Sequence, residues 1–259
     1  MRGFGPGRFG AILLALCVLF TAVNAEARFI ERNYKNRTYL KFVPDSLDNT
    51  DSHPLVVMLH GCTQTPRSFA RTTNMNQVAT RRQFIVIYPK QTREANRKRC
   101  WNWFKLRHVT RHKGEAALIA GMTRRTVREH NLDPGRVYLA GLSAGGAMAA
   151  NLIIAYPDLY TAVGIHSGLE YRAATNPYDA LSAMKAGGPE PAKQGRKAFT
   201  AMGDRARPIP TIVVHGEDDQ TVAPVNGRQA TRQAVATNRA VLQNQDSETH
   251  PDVTVHRRP

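Results

Sequence analysis

The sequence predicts an α/β fold with a mostly parallel central sheet flanked by helices, and three observations carry that expectation. Short apolar runs recur along the chain, among them Leu55-Val56-Val57-Met58-Leu59 and Phe84-Ile85-Val86-Ile87-Tyr88, and continuous runs of this kind mark strands buried on both faces of a parallel sheet. Segments of helical period separate the runs, as right-handed crossovers require. A length of 259 residues with 42% hydrophobic and 22% charged residues suits one domain with a large core.

Taken in order, residues 28–44 alternate loosely, as in Tyr39-Leu40-Lys41-Phe42-Val43, and suit edge strands. Asp45 to Pro54 is a polar turn. Residues 55–59 form the first buried strand, 68–82 a helix with Phe69, Met75, Val78 and Ala79 facing inward, and 84–88 the second buried strand. A loop then carries Cys100-Trp101-Asn102-Trp103. Residues 114–130 read as a helix, 133–135 as a turn, 137–140 as a third strand and 144–155 as a helix rich in small residues. A fourth strand is expected at 162–165, a fifth at 211–214 and a helix at 226–239. The Pro/Gly-rich, weakly periodic stretch 169–210 reads as a loop or cap over the site.

The N-terminal segment stands apart from this domain. Arg2 and Arg8 precede an apolar run from Phe9 to Val23, and small residues follow at Ala25 and Ala27. This is the pattern of a secretory signal, 1–25, cleaved after Ala25 or Ala27, with the folded domain at 28–259. The run is short for a bilayer span, which disfavours the alternative of an uncleaved anchor. Cys17 lies inside it, and Leu16 and Val18 beside it do not fit a lipoprotein processing site. Export leaves Cys62 and Cys100 in an oxidising compartment, where a disulfide is permitted; two separate buried thiols are the other reading.

The formal net charge is +16, and about +14 without Arg2 and Arg8. Such a balance favours acidic surfaces, including anionic polysaccharide. The basic residues are scattered, with no basic helix and no basic run interleaved with aromatics, so the charge is read as solubility and non-specific adhesion, not as a nucleic-acid site. No clustered metal-ligand spacing or phosphate-cradling glycine loop is present, so neither metal nor organic cofactor is expected.

Three strand ends carry residues of chemical interest. Gly141-Leu142-Ser143-Ala144-Gly145 lies between a strand and a helix, the context in which Gly-x-Ser-x-Gly reads as a nucleophile elbow. The serine there sits on a tight turn that small flanking residues accommodate, and the helix N-terminus offers free N–H groups. The bland alternative is a small-residue turn. His60-Gly61-Cys62 follows the first buried strand, where a loop supplies one backbone donor to an oxyanion hole; Cys62 and Ala144 are the two candidate donors, and His60 suits bracing the loop. His215-Gly216-Glu217-Asp218-Asp219 follows the fifth strand. An acid is needed to orient an imidazolium, and Asp219 is preferred over Asp218, against the alternative of a solvated acidic turn.

Together with Cys100-Trp101-Asn102-Trp103-Phe104 and the stretch from His215 to Val222, these motifs resemble the polyhydroxybutyrate depolymerase-type esterases, which are related to feruloyl and acetylxylan esterases and share the α/β-hydrolase fold. The resemblance runs from about Arg37 to His256. It implies a secreted serine esterase acting through an acyl-enzyme on Ser143, with Asp219 as the acid and an ester substrate, polymeric in some relatives. Family members carry the triad histidine on a Gly-His-Ala-Trp-like segment that this sequence lacks. Only His250 and His256 follow Asp219. The expectation is therefore a sheet without its last strand, with residues 252–256 resembling the strand before the usual histidine and His256 as a substitute base. A disabled, polymer-binding remnant and a secreted serine peptidase of the same fold are the competing readings. Trp101, Trp103 and Tyr171 are candidates to line a substrate groove, with packing of the two tryptophans beside a Cys62–Cys100 bridge as the alternative.

Overall fold

The computed structural model describes residues 29–47 and 52–244. The segments read as a signal peptide and as a strand at 252–256, with His250 and His256, lie outside the described residues. Seven strands form one sheet in the order β1-β2-β4-β3-β5-β6-β7: β1 is Phe29–Tyr34, β2 Arg37–Phe42, β3 Leu55–Leu59, β4 Ile85–Pro89, β5 Val137–Leu142, β6 Ala162–His166 and β7 Thr211–Val214. β2 runs antiparallel to both neighbours, and all pairings from β4 to β7 are parallel. This is the mostly parallel sheet the apolar runs imply. β4 is buried at every position, as expected of a β-branched strand covered on both faces.

Helices cover the two faces. On one side α1 (Pro66–Thr73) and α2 (Met75–Arg82) pack Phe69, Ala70 and Ala79 against Met58, Val86 and Tyr88. The expected single helix at 68–82 is broken, because Asn74 adopts a left-handed conformation with φ 49° and ψ 21°; asparagine tolerates that region better than most residues.

On the other side lie α3 (Leu106–Val109), α4 (Gly114–Glu129), α5 (Ala144–Ala155), α6 (Pro177–Ala186), α7 (Pro191–Met202) and α8 (Val225–Asn244). In α4 the buried stripe Ala116, Ile119, Ala120, Thr123 and Thr126 has helical spacing. α5 is buried along nearly its whole length, as suits a helix apolar on every face apart from Asn151.

The stretch 169–210 is not a loop. It holds α6 and α7, and α7 packs on α8 and α5. Each helix begins with proline at its first turn, capped by Asn176 and by Glu190. Proline suits that position because its missing N–H would have no helical partner anyway.

Between this helical layer and the end of β6 lies Glu170, 1% exposed, with neither carboxylate oxygen hydrogen-bonded. Burial, aided by the nearby Glu190 charge, pushes its carboxyl up to about 8. The folded state thus holds a proton that the unfolded chain has released above its ordinary value of 4.5, and stability falls as pH rises between those two values. Glu170→Gln removes the titration. Its melting temperature should exceed that of the unchanged protein by a margin that widens from pH 5 to pH 8; a margin constant across melts at pH 5, 6.5 and 8 would refute this.

Candidate active site

Because β3 to β7 run parallel, their carboxyl ends share one rim. Chain connections leave β3 towards β4 on one side and return to β5 on the other, so the switch point lies between β3 and β5, where ligands bind in open sheets of this kind. Ser143 sits at that point. Its backbone has φ 56° and ψ −120°, a region that non-glycine residues rarely enter and that costs about 1–3 kcal/mol. The turn is held by Ser143 N–H donating to the His166 carbonyl at 2.9 Å and by the Ser143 carbonyl accepting from Ala147 N–H at 2.9 Å.

The small residues around it are sterically required. A Cβ on Gly145 would collide with the Leu59 carbonyl, and one on Gly141 with the Gly145 carbonyl. α5 therefore starts in direct contact with the end of β3.

The loop after β3 lies against the elbow: a Cβ built on Gly61 would sit 3.5 Å from Ser143 Cβ. Among the described residues, Cys62 N–H has no backbone acceptor. Ala144, as the first helical residue, has no acceptor within its own helix. Both N–H groups are thus available at the rim.

His60 is fully buried and braces this loop. Gln91 N–H donates to its Nε2 at 3.2 Å, which leaves Nδ1–H to donate to the Gly61 carbonyl at 2.7 Å. Burial lowers its imidazole to about 4, so it stays neutral and is occupied on both nitrogens.

Behind the loop, Cys62 and Cys100 form a disulfide with Cα atoms 4.2 Å apart. Trp101 donates from Nε1 to the His60 carbonyl at 3.1 Å. Trp101, Trp103 and Tyr171 are all buried and belong to the main core, which favours the packing alternative over a groove lining. Glu115, on the first turn of α4, ties the same loop down. It accepts from Asn102 N–H at 2.8 Å and from Gln91 Nε2 at 2.6 Å. Sequence reasoning assigned no role to Glu115 or Gln91.

After β7, Asp219 Oδ1 accepts from the N–H groups of Thr221 and Val222, both at 2.9 Å. Its Oδ2 lies 3.6 Å from His215 Nε2. Burial by itself would raise the carboxyl, but the Val222 and Thr221 N–H groups, the Ser167 hydroxyl and His215 outweigh it and hold Asp219 below the ordinary range. Asp218 is exposed.

Ser143 and Asp219 are linked through the end of β6: His166 bonds to Ser143, and Ser167 N–H donates to the Val214 carbonyl at 2.8 Å. His166 is exposed at this rim. As the last residue of β6, it obeys the same strand-end rule that singled out the other three sites. His215 lies under α8, its ring against Gly227, and donates from Nε2 to the Val222 carbonyl at 2.8 Å.

A mostly parallel sheet with an antiparallel second strand, and a strained serine at the β5–α5 junction, have the architecture of an α/β-hydrolase. Residues 38–249 match the family described as Esterase PHB depolymerase, and the chain belongs to that family. It is 35% identical over 203 residues to poly(3-hydroxyalkanoate) depolymerase C of Paucimonas lemoignei, covering 78% of this chain and 48% of that protein. With feruloyl esterase B of Thermothelomyces thermophilus it shares 30% identity over 234 residues, covering 86% of this chain and 77% of the relative. The chain thus spans about half the length of the depolymerase it matches. Among solved structures, the acetyl xylan esterase from Aspergillus awamori superposes with a TM-score of 0.70 at 23% identity, over 78% of this chain and 75% of that one, which establishes the shared fold.

Two outcomes follow from this geometry. Gly145→Ala forces a methyl group into the Leu59 carbonyl, so the variant should melt well below the unchanged protein; an unchanged melting temperature would show that the elbow relaxes freely. Reducing the Cys62–Cys100 bridge should lower stability by about 2–4 kcal/mol through the loop it closes, read from denaturant melts with and without reductant.

Proposed function

We propose that the chain is a secreted serine esterase that hydrolyses carboxylic esters through an acyl-enzyme on Ser143. The observation that carries this reading is the backbone of Ser143, held at φ 56° where, among the described residues, the N–H groups of Cys62 and Ala144 have no backbone acceptor. In this reading the Ser143 hydroxyl oxygen attacks the ester carbonyl carbon while an imidazole takes its proton. The developing oxyanion accepts from Cys62 and Ala144 N–H groups, which strengthens as charge grows on the oxygen. The imidazolium returns its proton to the departing alcohol, and water then repeats the sequence to release the acid. Asp219, held ionised by its donors, stabilises the imidazolium.

The relatives' names support two substrate classes: hydroxyalkanoate esters, after the Paucimonas poly(3-hydroxyalkanoate) depolymerase, or feruloyl and acetyl esters of polysaccharide, after the Thermothelomyces feruloyl esterase and the Emericella nidulans acetylxylan esterase. The apolar run at 9–23 supports secretion. Two histidines are open to the role of base. His256 follows Asp219 in the chain order that this fold uses, and His166 stands exposed at the rim with its carbonyl bonded to Ser143.

The test is hydrolysis of p-nitrophenyl butyrate by the purified chain. Ser143→Ala should abolish it, and Asp219→Asn should lower kcat by several orders of magnitude. His166→Gln and His256→Gln, assayed in parallel, assign the base to whichever replacement costs most. Activity equal to that of Ser143→Ala in the unchanged chain would overturn the esterase reading in favour of a non-catalytic polymer-binding protein, and faster cleavage of a matched peptide substrate would favour a peptidase.

A further inference from the structure

Beside α3 and the start of α4 opens a cleft of about 640 Å3, lined by Leu106, Arg107, Thr110, Lys113 and Arg172. None of these residues belongs to the Ser143 rim. Three of the five are cations, and among the described residues no carboxylate lies within ion-pair distance of any of them. The acids near these elements are already engaged. Glu115 serves Asn102 and Gln91, and Asp158 holds Arg111 at 2.6 Å. Among the described residues, therefore, no acid is paired with the charge in the cleft.

The cations are also positioned by the backbone. Gly114 has φ +50°, and a Cβ there would lie 2.7 Å from the Arg107 carbonyl and 3.0 Å from His108 Nδ1. Only a glycine lets α4 begin this close to α3, and the approach sets Lys113 beside Arg107. Across the cleft Arg172 has φ 51°, disfavoured for a side-chain-bearing residue. Its N–H donates to Asn151 Oδ1 at 3.2 Å, its carbonyl accepts from Gln194 Nε2 at 2.9 Å, and its guanidinium lies 5.8 Å from the centre of the Tyr171 ring. Backbone strain kept in place by several bonds is common where a side chain must be presented to a ligand.

We propose that this cleft binds a carboxylate-bearing saccharide segment, a short run of uronic acid units in an anionic polysaccharide. Guanidinium forks match carboxylates with two parallel hydrogen bonds, and three separated cations suit charges repeated along a chain. Leu106, 56% exposed, offers an apolar floor for a sugar ring, and Thr110 a hydroxyl. No lining residue is aromatic, so the cleft lacks the stacking platform that single-stranded nucleic acid uses. Such a site would hold the protein on an acidic polymer while leaving the Ser143 rim open.

The experiment is calorimetric titration of the full chain with trigalacturonate at low salt, beside neutral xylotriose and a thymidine trinucleotide. Trigalacturonate should bind, xylotriose should not, and binding should weaken as salt screens the charges. The double variant Arg107→Gln/Lys113→Gln, on an exposed surface, should weaken binding at least tenfold without lowering the melting temperature. A matched pair on α2, Arg81→Gln/Arg82→Gln, should leave it unchanged, and hydrolysis of p-nitrophenyl butyrate should be the same in both variants. Absence of binding, equal weakening by the two pairs, or tighter binding of the trinucleotide would each overturn the proposal. None of the binding readouts depends on ester hydrolysis, so the two readings fail independently.

Discussion

The end of β5 and the start of α5 meet at a turn that the chain can make only if Ser143 takes a disfavoured backbone and Gly145 passes directly under the Leu59 carbonyl. Most of the rim depends on this constraint. It brings β3 and β5 close enough for the Gly61 loop to touch Ser143. It also points the N-terminus of an almost wholly buried helix at the switch point of the sheet. The strain is tolerable because the surroundings over-determine it: α5 is packed on every side, and the turn is bonded to the neighbouring strand through His166.

Around this turn the protein spends its polar groups on fixing loops. His60, Gln91, Asn102 and Glu115 form one buried network behind the Cys62 loop. Low local dielectric strengthens each of these bonds, and the disulfide and Trp101 add covalent and apolar restraint to the same segment. Asp219 is treated in the same way, with two backbone donors and the Ser167 hydroxyl aimed at its carboxylate. An oxyanion site works only if its donors are set before charge develops, and a rigid rim of this kind meets that need.

Much of the fold was legible because parallel strands buried on both faces must be apolar at successive positions; residues 55–59 and 85–89 show it plainly. The motif at 141–145 was legible because steric clearance admits few residue types there. What stayed hidden depended on single backbone choices or on distant partners. Nothing in the periodicity of 68–82 reveals that Asn74 turns left-handed. Pro177 and Pro191 made 169–210 look like a loop, although proline at a helix start with Asn176 or Glu190 capping it is itself a helix signal. Glu115 reaches the Trp101 loop from another element, and spacing along the chain cannot show that. His166 was within reach of the strand-end rule and was passed over because no motif marked it.

The central claim is that the geometry at residue 143 makes one serine chemically distinct from every other in the chain. Labelling with a fluorophosphonate, followed by peptide mass mapping, tests it most directly. The account predicts a single adduct on Ser143, absent from Ser143→Ala. An adduct on another serine, or none under conditions in which the protein is folded, would contradict it.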